Sequence, residues 1–423
     1  MDTPIAKERR AGTNLGVPYY VRGFALGIPI YFVAIHMWTW ILSVPIVLPK
    51  GAYDFRQIYA ATYMVRSGHA KQLYDYYAQK DAQDRTVSPM PVPLPYVSPA
   101  YEALGLAPLA YLPFRAAYFA FLAVNLATLG LCFVLLQPWM QYLQNIYWWL
   151  PAALFLGFLP AAAALIEGQD SILLTTSVVG AWVLLTREHH FYGGMILGLA
   201  LFKFSIVLPI AVLFLFWRQW RFLLGFVIAG VTFAGISVWL TGIGQARLYV
   251  ETLFSIAGLR PPTGGLAVYP VIWRTMANIH GLVFTLGYNR ISRPVIETIT
   301  IVLSASVMGW TIIRGWRTKR VSELLLFAIP CAVLVSHHTY VYDLTILLLP
   351  LIVLLDTLLP SEEAGTRERW NARAAALMFV APVMESHSRD HFYLVAVPVF
   401  LLLLAAGAAI SRRSLERKNA NAV

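Results

Sequence analysis

Of 423 residues, 59% are hydrophobic and only 13% carry a formal charge. A water-soluble domain carries about a quarter charged residues, so an ordinary soluble fold is excluded. The net charge of +11 is spread over short loops and tails instead of forming one stripe, which argues against nucleic acid as a partner and for a chain oriented by its basic loops.

A membrane-crossing helix needs about 20 mostly apolar residues. Runs of that kind fall at 22–48, 114–137, 147–166, 170–186, 220–241, 294–313, 321–336, 340–359, 371–385 and 391–410. They predict an all-α polytopic membrane protein with about 10 to 12 spans. The first run, starting near Val21, is too long for the apolar core of a cleavable signal peptide. The whole chain, 1–423, reads as one domain, with 49–113 and 242–293 as the two stretches long enough to fold outside the bilayer. Cys132 and Cys331 both lie inside apolar runs, which predicts neither a disulfide framework nor a cysteine-based metal site. The 13 Trp and 22 Tyr suit two interfacial aromatic belts.

Charge sets the orientation. With Lys7, Arg9 and Arg10 in the cytoplasm, successive crossings put 49–113 outside, 138–146 inside, Glu167 to Asp170 outside and Arg187 to His190 inside. If 191–217 then crossed once, Trp217-Arg218-Gln219-Trp220-Arg221 and the Arg314, Arg317, Lys319, Arg320 loop would both lie outside. Two half-helices broken around Lys203-Phe204-Ser205 remove that conflict and carry Lys203 to membrane depth within protein. The polar segments 54–101, 167–170, 245–293, 336–343 and 385–391 then share the outer face.

Those segments hold the candidate functional residues. Tyr53-Asp54-Phe55-Arg56 follows the first span, and 58–67 and 73–77 read as two amphipathic surface helices. A partly desolvated Asp54 can serve as a general base; the plain alternative is an aspartate capping a surface helix. In Ser336-His337-His338-Thr339-Tyr340-Val341-Tyr342-Asp343, adjacent histidines point about 100° apart on a helix and rarely share a metal, so a proton relay competes with an interfacial polar turn. Lys203 either snorkels to the interface, anchors a phosphate or pairs with a buried carboxylate. Arg247, Arg260 and Arg274 can fork onto a lipid phosphate, or simply be solvated. No Walker loop, dinucleotide fingerprint or H-E-x-x-H pattern is present in the sequence, so a nucleotide-driven pump and a zinc protease have no support.

Several motifs resemble glycosyltransferase family 87, in order along the chain: Asp54-Phe55 with Tyr59, Gly68 and Leu73-Tyr74-Asp75; Pro99-Ala100-Tyr101 through Pro108-Leu109 and Leu112-Pro113; Glu167-Gly168-Gln169-Asp170-Ser171-Ile172-Leu173-Leu174; Gly193 to Ala200 with Lys203; and Trp217 to Arg221. The resemblance runs to about residue 225 and resumes at 336–343. The chain departs from it at Tyr96-Val97-Ser98-Pro99, where the family has tyrosine–proline–proline. It departs again at Phe204, in place of proline, and near Asn278, where the asparagine–glutamine–serine pattern is missing.

The resemblance implies a GT-C-type helix bundle in the plasma (inner) membrane with its active site on the non-cytoplasmic side. It implies an inverting, metal-independent hexosyltransferase without a cofactor, moving a hexose, mannose in the first instance, from a polyprenyl-phosphate donor to a glycolipid or cell-envelope glycan. Asp54 would be the base and His337 or His338 its helper. Lys203, Arg56, Arg260 and Arg274 would hold the donor phosphate, and Tyr53, Glu167, Gln169 and Asp343 would contact substrate. A lipid-linked sugar transporter or flippase is the competing expectation; it would share the groove and the cations but needs no base.

Overall fold

The structure is a computed structural model and describes residues 19–51, 53–256, 272–358, 366–386 and 389–420. Among these residues every regular element is a helix, the form in which a lipid-embedded backbone satisfies its own hydrogen bonds. Six segments are long and apolar enough to cross a membrane: 25–50, 114–139, 190–216, 220–241, 293–315 and 391–409. A seventh is the pair Leu150–Gly157 and Leu159–Glu167, bent by 55°. The expected unbroken span at 147–166 is therefore broken, at Phe158, where Pro160 opens the second helix and withholds a backbone donor. Ser171–Thr186 and Val321–Val335 are apolar but shorter. The expected 340–359 run is a 3-10 helix, Val341–Leu347, followed by the short helix Leu348–Leu358, and 371–385 lies in helix Thr366–Ser386, which carries charges at its start, so fewer segments than the expected ten pass.

By length alone 190–216 could cross once, but its packing shows that it turns back. Helix His190–Leu199 runs beside helix Trp220–Thr241 at backbone contact: a methyl group added at Gly194 would stand 1.9 Å from the Phe222 carbonyl oxygen, and one at Gly198 2.6 Å from the Ala229 side chain. Both numbers rise together along the two helices, so they are parallel and start at the same end. The 13-residue helix Phe204–Phe216 must therefore return, and Phe214 duly stacks on Phe222 with ring centroids 4.2 Å apart. The reversal lies at a 3-10 turn, Ala200–Lys203, where Lys203 leaves helical geometry at φ −106°, ψ 54°.

The molecule thus has two unlike ends. At one, tryptophans tie the basic turns together: Trp217 Nε1 donates to the Ile312 carbonyl at 3.0 Å, Trp316 Nε1 to Phe216 at 3.0 Å and Trp182 Nε1 to Ser322 at 3.1 Å. The other end gathers Asp54, 167–170, Lys203 and 336–343. Expected surface helices appear there as Phe55–Arg66 and Tyr76–Thr86. The second starts later than its sequence suggests because the Asp75 carboxylate accepts from the Ala78 N–H at 2.8 Å and so fixes the helix start. The first is buried along Phe55, Ile58, Tyr59, Ala60, Ala61 and Met64, so it is packed into the bundle rather than resting on lipid.

Candidate active site

Asp54 occupies the N-cap position of helix Phe55–Arg66, yet its side chain makes no capping bond. The carboxylate is half-buried and turns to Gln169, whose Nε2 donates to Oδ2 at 2.7 Å. The Tyr342 hydroxyl provides a second hydrogen bond. Burial raises the Asp54 pKa above its ordinary value, against the lowering effects of the Gln169 and Tyr342 bonds and of Lys203. A carboxylate so placed is a stronger base than a solvated one.

Each residue of Glu167-Gly168-Gln169-Asp170 has a separate part in this arrangement. Glu167 Oε2 accepts from the Asp54 backbone N–H at 3.3 Å. Gly168 ends helix Leu159–Glu167 in the left-handed region at φ +63°, a conformation costly for residues with a Cβ. A Cβ here would also stand 2.7 Å from that of Phe55, so the glycine admits the residue next to Asp54. Gln169 is anchored through its own carbonyl, which accepts from Asn125 Nδ2 at 3.1 Å. Asp170, 2% exposed, meets Lys203.

Lys203 is the hub. Its Nζ lies 2.9 Å from Asp170 Oδ1, 3.2 Å from Asp343 Oδ1 and 3.4 Å from Gln169 Oε1, and it sits 5.2 Å from the centre of the Tyr342 ring. An ammonium has three donors, and three acceptors surround this one. Of the sequence-level readings, pairing with buried carboxylates is the one found. Any phosphate would have to share the ammonium with these three acceptors. Asp343 is further fixed by Ser171 Oγ at 2.9 Å and by the Tyr340 N–H at 3.0 Å.

The histidine segment is braced by the end of the long loop. Thr339 O accepts from the Ala277 N–H at 3.2 Å, Ser336 O from Asn278 Nδ2 at 2.8 Å and His337 O from His280 Nδ1 at 2.9 Å. His337 is exposed, with its ring 4.2 Å from that of His280. His338 is lodged near Asp343 and Lys203, and burial lowers its pKa to about 4 against the opposing pull of Asp343. Its Nδ1 is buried without a hydrogen-bond partner among the described residues. At neutral pH it is an uncharged imidazole.

A family model, glycosyltransferase family 87, matches residues 96–337, more than half of the chain. The chain belongs to this family. It is a membrane glycosyltransferase. No curated protein and no solved structure matches it significantly. The matched stretch of this family 87 chain contains Gln169, Asp170 and Lys203 and ends at His337, while Asp54 and Asp343 reach the same cluster from outside it.

The remaining candidates separate by geometry. Arg56, 0% exposed, is consumed locally: it bonds Gln83 Oε1 at 2.8 Å, Ser88 Oγ at 3.1 Å and the Gly51 carbonyl at 3.4 Å, and pairs with Asp84 at 3.4 Å. That guanidinium braces the loop, its donors turned to these partners. Tyr53 is buried against Tyr118, ring centroids 5.7 Å apart, and donates to Ser43 Oγ at 3.2 Å, so its hydroxyl faces the bundle. Arg274 is exposed on the turn Trp273–Thr275, just before the loop segment that braces 336–339. Arg260 lies outside the described residues, as does part of 385–391.

Sequence reasoning missed Glu102, which lies against Asp170, and passed over Asn125 and Ser171. An acid directly after Pro99-Ala100-Tyr101 was the available signal. Its partner sits 68 positions further on, so local pattern could not supply it.

Proposed function

We propose that this membrane glycosyltransferase moves a hexose, mannose in the first instance, from a polyprenyl-phosphate donor to a hydroxyl of a glycolipid or cell-envelope glycan, with Asp54 as general base. The single observation carrying the proposal is the half-buried Asp54 carboxylate, free of any capping bond and held by the Gln169 amide at 2.7 Å. In the reaction the acceptor oxygen bonds to the sugar's anomeric carbon as the bond from that carbon to the phosphate oxygen breaks. The electron pair leaves on the phosphate and the acceptor's proton passes to Asp54. One displacement inverts the anomeric configuration. A phosphate monoester is already a fair leaving group, so no second acid has to protonate it, in contrast to glycoside hydrolysis.

Charge on the departing phosphate has to be met by cations. Lys203 is engaged with carboxylates, so this role falls to Arg274 and Arg260 of the long loop. The uncharged His338, next to Asp343, orients and does not supply a proton. The prenyl chain would lie between apolar helices, which explains placing sugar chemistry in a lipid-embedded bundle. The basic turns at the opposite end support a cytoplasmic location for that end, and so an active site on the non-cytoplasmic face of the plasma membrane.

The test is purified protein in detergent, given labelled polyprenyl-phosphate mannose and a glycolipid acceptor. Transfer should proceed without any bilayer to cross, which a flippase would not manage, and the product should carry the inverted anomer. Asp54→Asn should lower turnover by about 10²- to 10⁴-fold with its thermal midpoint unchanged. Wild-type turnover in that variant would remove the mechanism.

A further inference from the structure

Glu102 is 7% exposed and Asp170 2% exposed; their carboxyl groups lie within interaction distance, and Glu102 Oε1 and Asp170 Oδ1 are both buried without a hydrogen-bond partner among the described residues. Ionised carboxylates only accept hydrogen bonds, so two of them meeting in this way need a proton between them. If both were ionised, the buried Glu102 Oε1 would have no donor, and Asp170 Oδ1 would have the Lys203 ammonium beside it at 2.9 Å without an aligned hydrogen bond. A single shared proton satisfies the contact.

Charge counting gives the same answer. Lys203 is the cation at the centre of Asp170, Asp343 and Glu102, and Asp54 also feels it. One ammonium cannot offset three buried carboxylates and the half-buried Asp54, and in such a cluster one acid keeps its proton. The groups that face Glu102 tell which. Tyr96 donates its hydroxyl to Oε2 at 3.1 Å; Ser98 hydrogen-bonds it; Asp170 and Lys203 lie on its inner side; and the phenols of Tyr74, Tyr101 and Tyr249 lie around it. Lys203 is in direct contact with Asp170, so the negative charge belongs there and the proton on Glu102. Burial and the Asp170 charge both push the Glu102 acid well above the usual carboxyl range.

We propose that Glu102 is a positioning residue that stays protonated and donates to Asp170, so that Asp170 carries a single charge, holds Lys203 against Gln169 Oε1 and thereby keeps the Gln169 amide aimed at Asp54. The protonation does not depend on the reaction; the positioning role rests on Asp54 as base. Without the proton, Asp170 and Glu102 would repel, Lys203 would be drawn towards them, and the Gln169 amide would lose the contact that fixes which of its ends faces Asp54.

Two measurements test it. Infrared spectroscopy of the purified protein at neutral pH should show the carbonyl stretch of a buried carboxylic acid that vanishes in Glu102→Gln. This readout involves no turnover and stands or falls apart from the proposed reaction. An unchanged acid band in Glu102→Gln would place the proton elsewhere and overturn the assignment. In the transfer assay, Glu102→Gln should stay within about threefold of wild type, because its amide can still donate to Asp170, and it should lose the alkaline fall that deprotonation of Glu102 gives the wild type. Glu102→Ala should lose about tenfold or more in turnover and shift the acid limb of the pH profile. A folded Glu102→Gln as inactive as Asp54→Asn would overturn the positioning role.

Discussion

Gln169 bridges base and cation: its Nε2 donates to Asp54 Oδ2 at 2.7 Å while its Oε1 accepts from Lys203 Nζ at 3.4 Å. An amide has distinct ends, so the lysine on the oxygen settles that the NH₂ faces the carboxylate. The bond stabilises the charged form of Asp54 and opposes the effect of burial, which raises its pKa.

The acid limb of kcat/KM reports that balance. Asp54 must be ionised to accept a proton, so activity falls as pH drops through its pKa, which burial raises above the ordinary 3.8. Gln169→Leu removes a bond that lowers this pKa. The limb should move to higher pH, and turnover at neutral pH should fall by about tenfold or more. An unmoved limb would detach Gln169 from the base.

Gly168→Ala should be costly out of proportion to its size. A Cβ would meet Phe55 at 2.7 Å and the residue would be held at φ +63°, adding about 1–2 kcal/mol from backbone geometry alone before any displacement of Phe55. Both thermal midpoint and turnover are expected to fall. Full activity at a lowered midpoint would show that Asp54 does not depend on this turn.

Arg56 and Arg274 should separate stability from donor binding. Arg56→Ala strands buried partners and should cost about 1–3 kcal/mol, read as a lowered midpoint with donor KM nearly unchanged. Arg274→Ala, on an exposed turn, should leave the midpoint alone and weaken donor use by about tenfold or more. The reverse pattern would return the phosphate to Arg56.

Sidedness can be read by cysteine labelling. Native Cys132 and Cys331 are buried, so background reaction should be low. Tyr77→Cys lies at the Asp54 end and Trp148→Cys at the tryptophan-tied end, the wild-type side chains being 72% and 84% exposed. An impermeant maleimide should label the first in intact cells and the second only after permeabilisation. The opposite result would place the reaction in the cytoplasm.

Much of this was legible in the sequence. Hydrophobic runs revealed the membrane class, and the parity of basic loops foresaw the reversal at Lys203 that the parallel packing of Gly194 on Phe222 displays. Glu167 to Asp170 stood out as a motif, but its division of labour did not. That Asp54 sits at an N-cap was readable; that its carboxylate ignores the cap was not, because the competitor for it, Gln169, is 115 positions away.

Composition and loop charge determined the membrane-embedded, all-helical character of the chain and which ends of its helices belong together, because transfer into lipid and the charge of flanking loops are set residue by residue and need no knowledge of neighbours. Only the tertiary structure decided what the ionisable groups do. The same lysine could have met phosphate or carboxylate, and the same arginine solvent or a buried loop. A group's charge state and free donors depend on which distant segments fold against it, and here those segments are 54, 102, 169–170, 203 and 343.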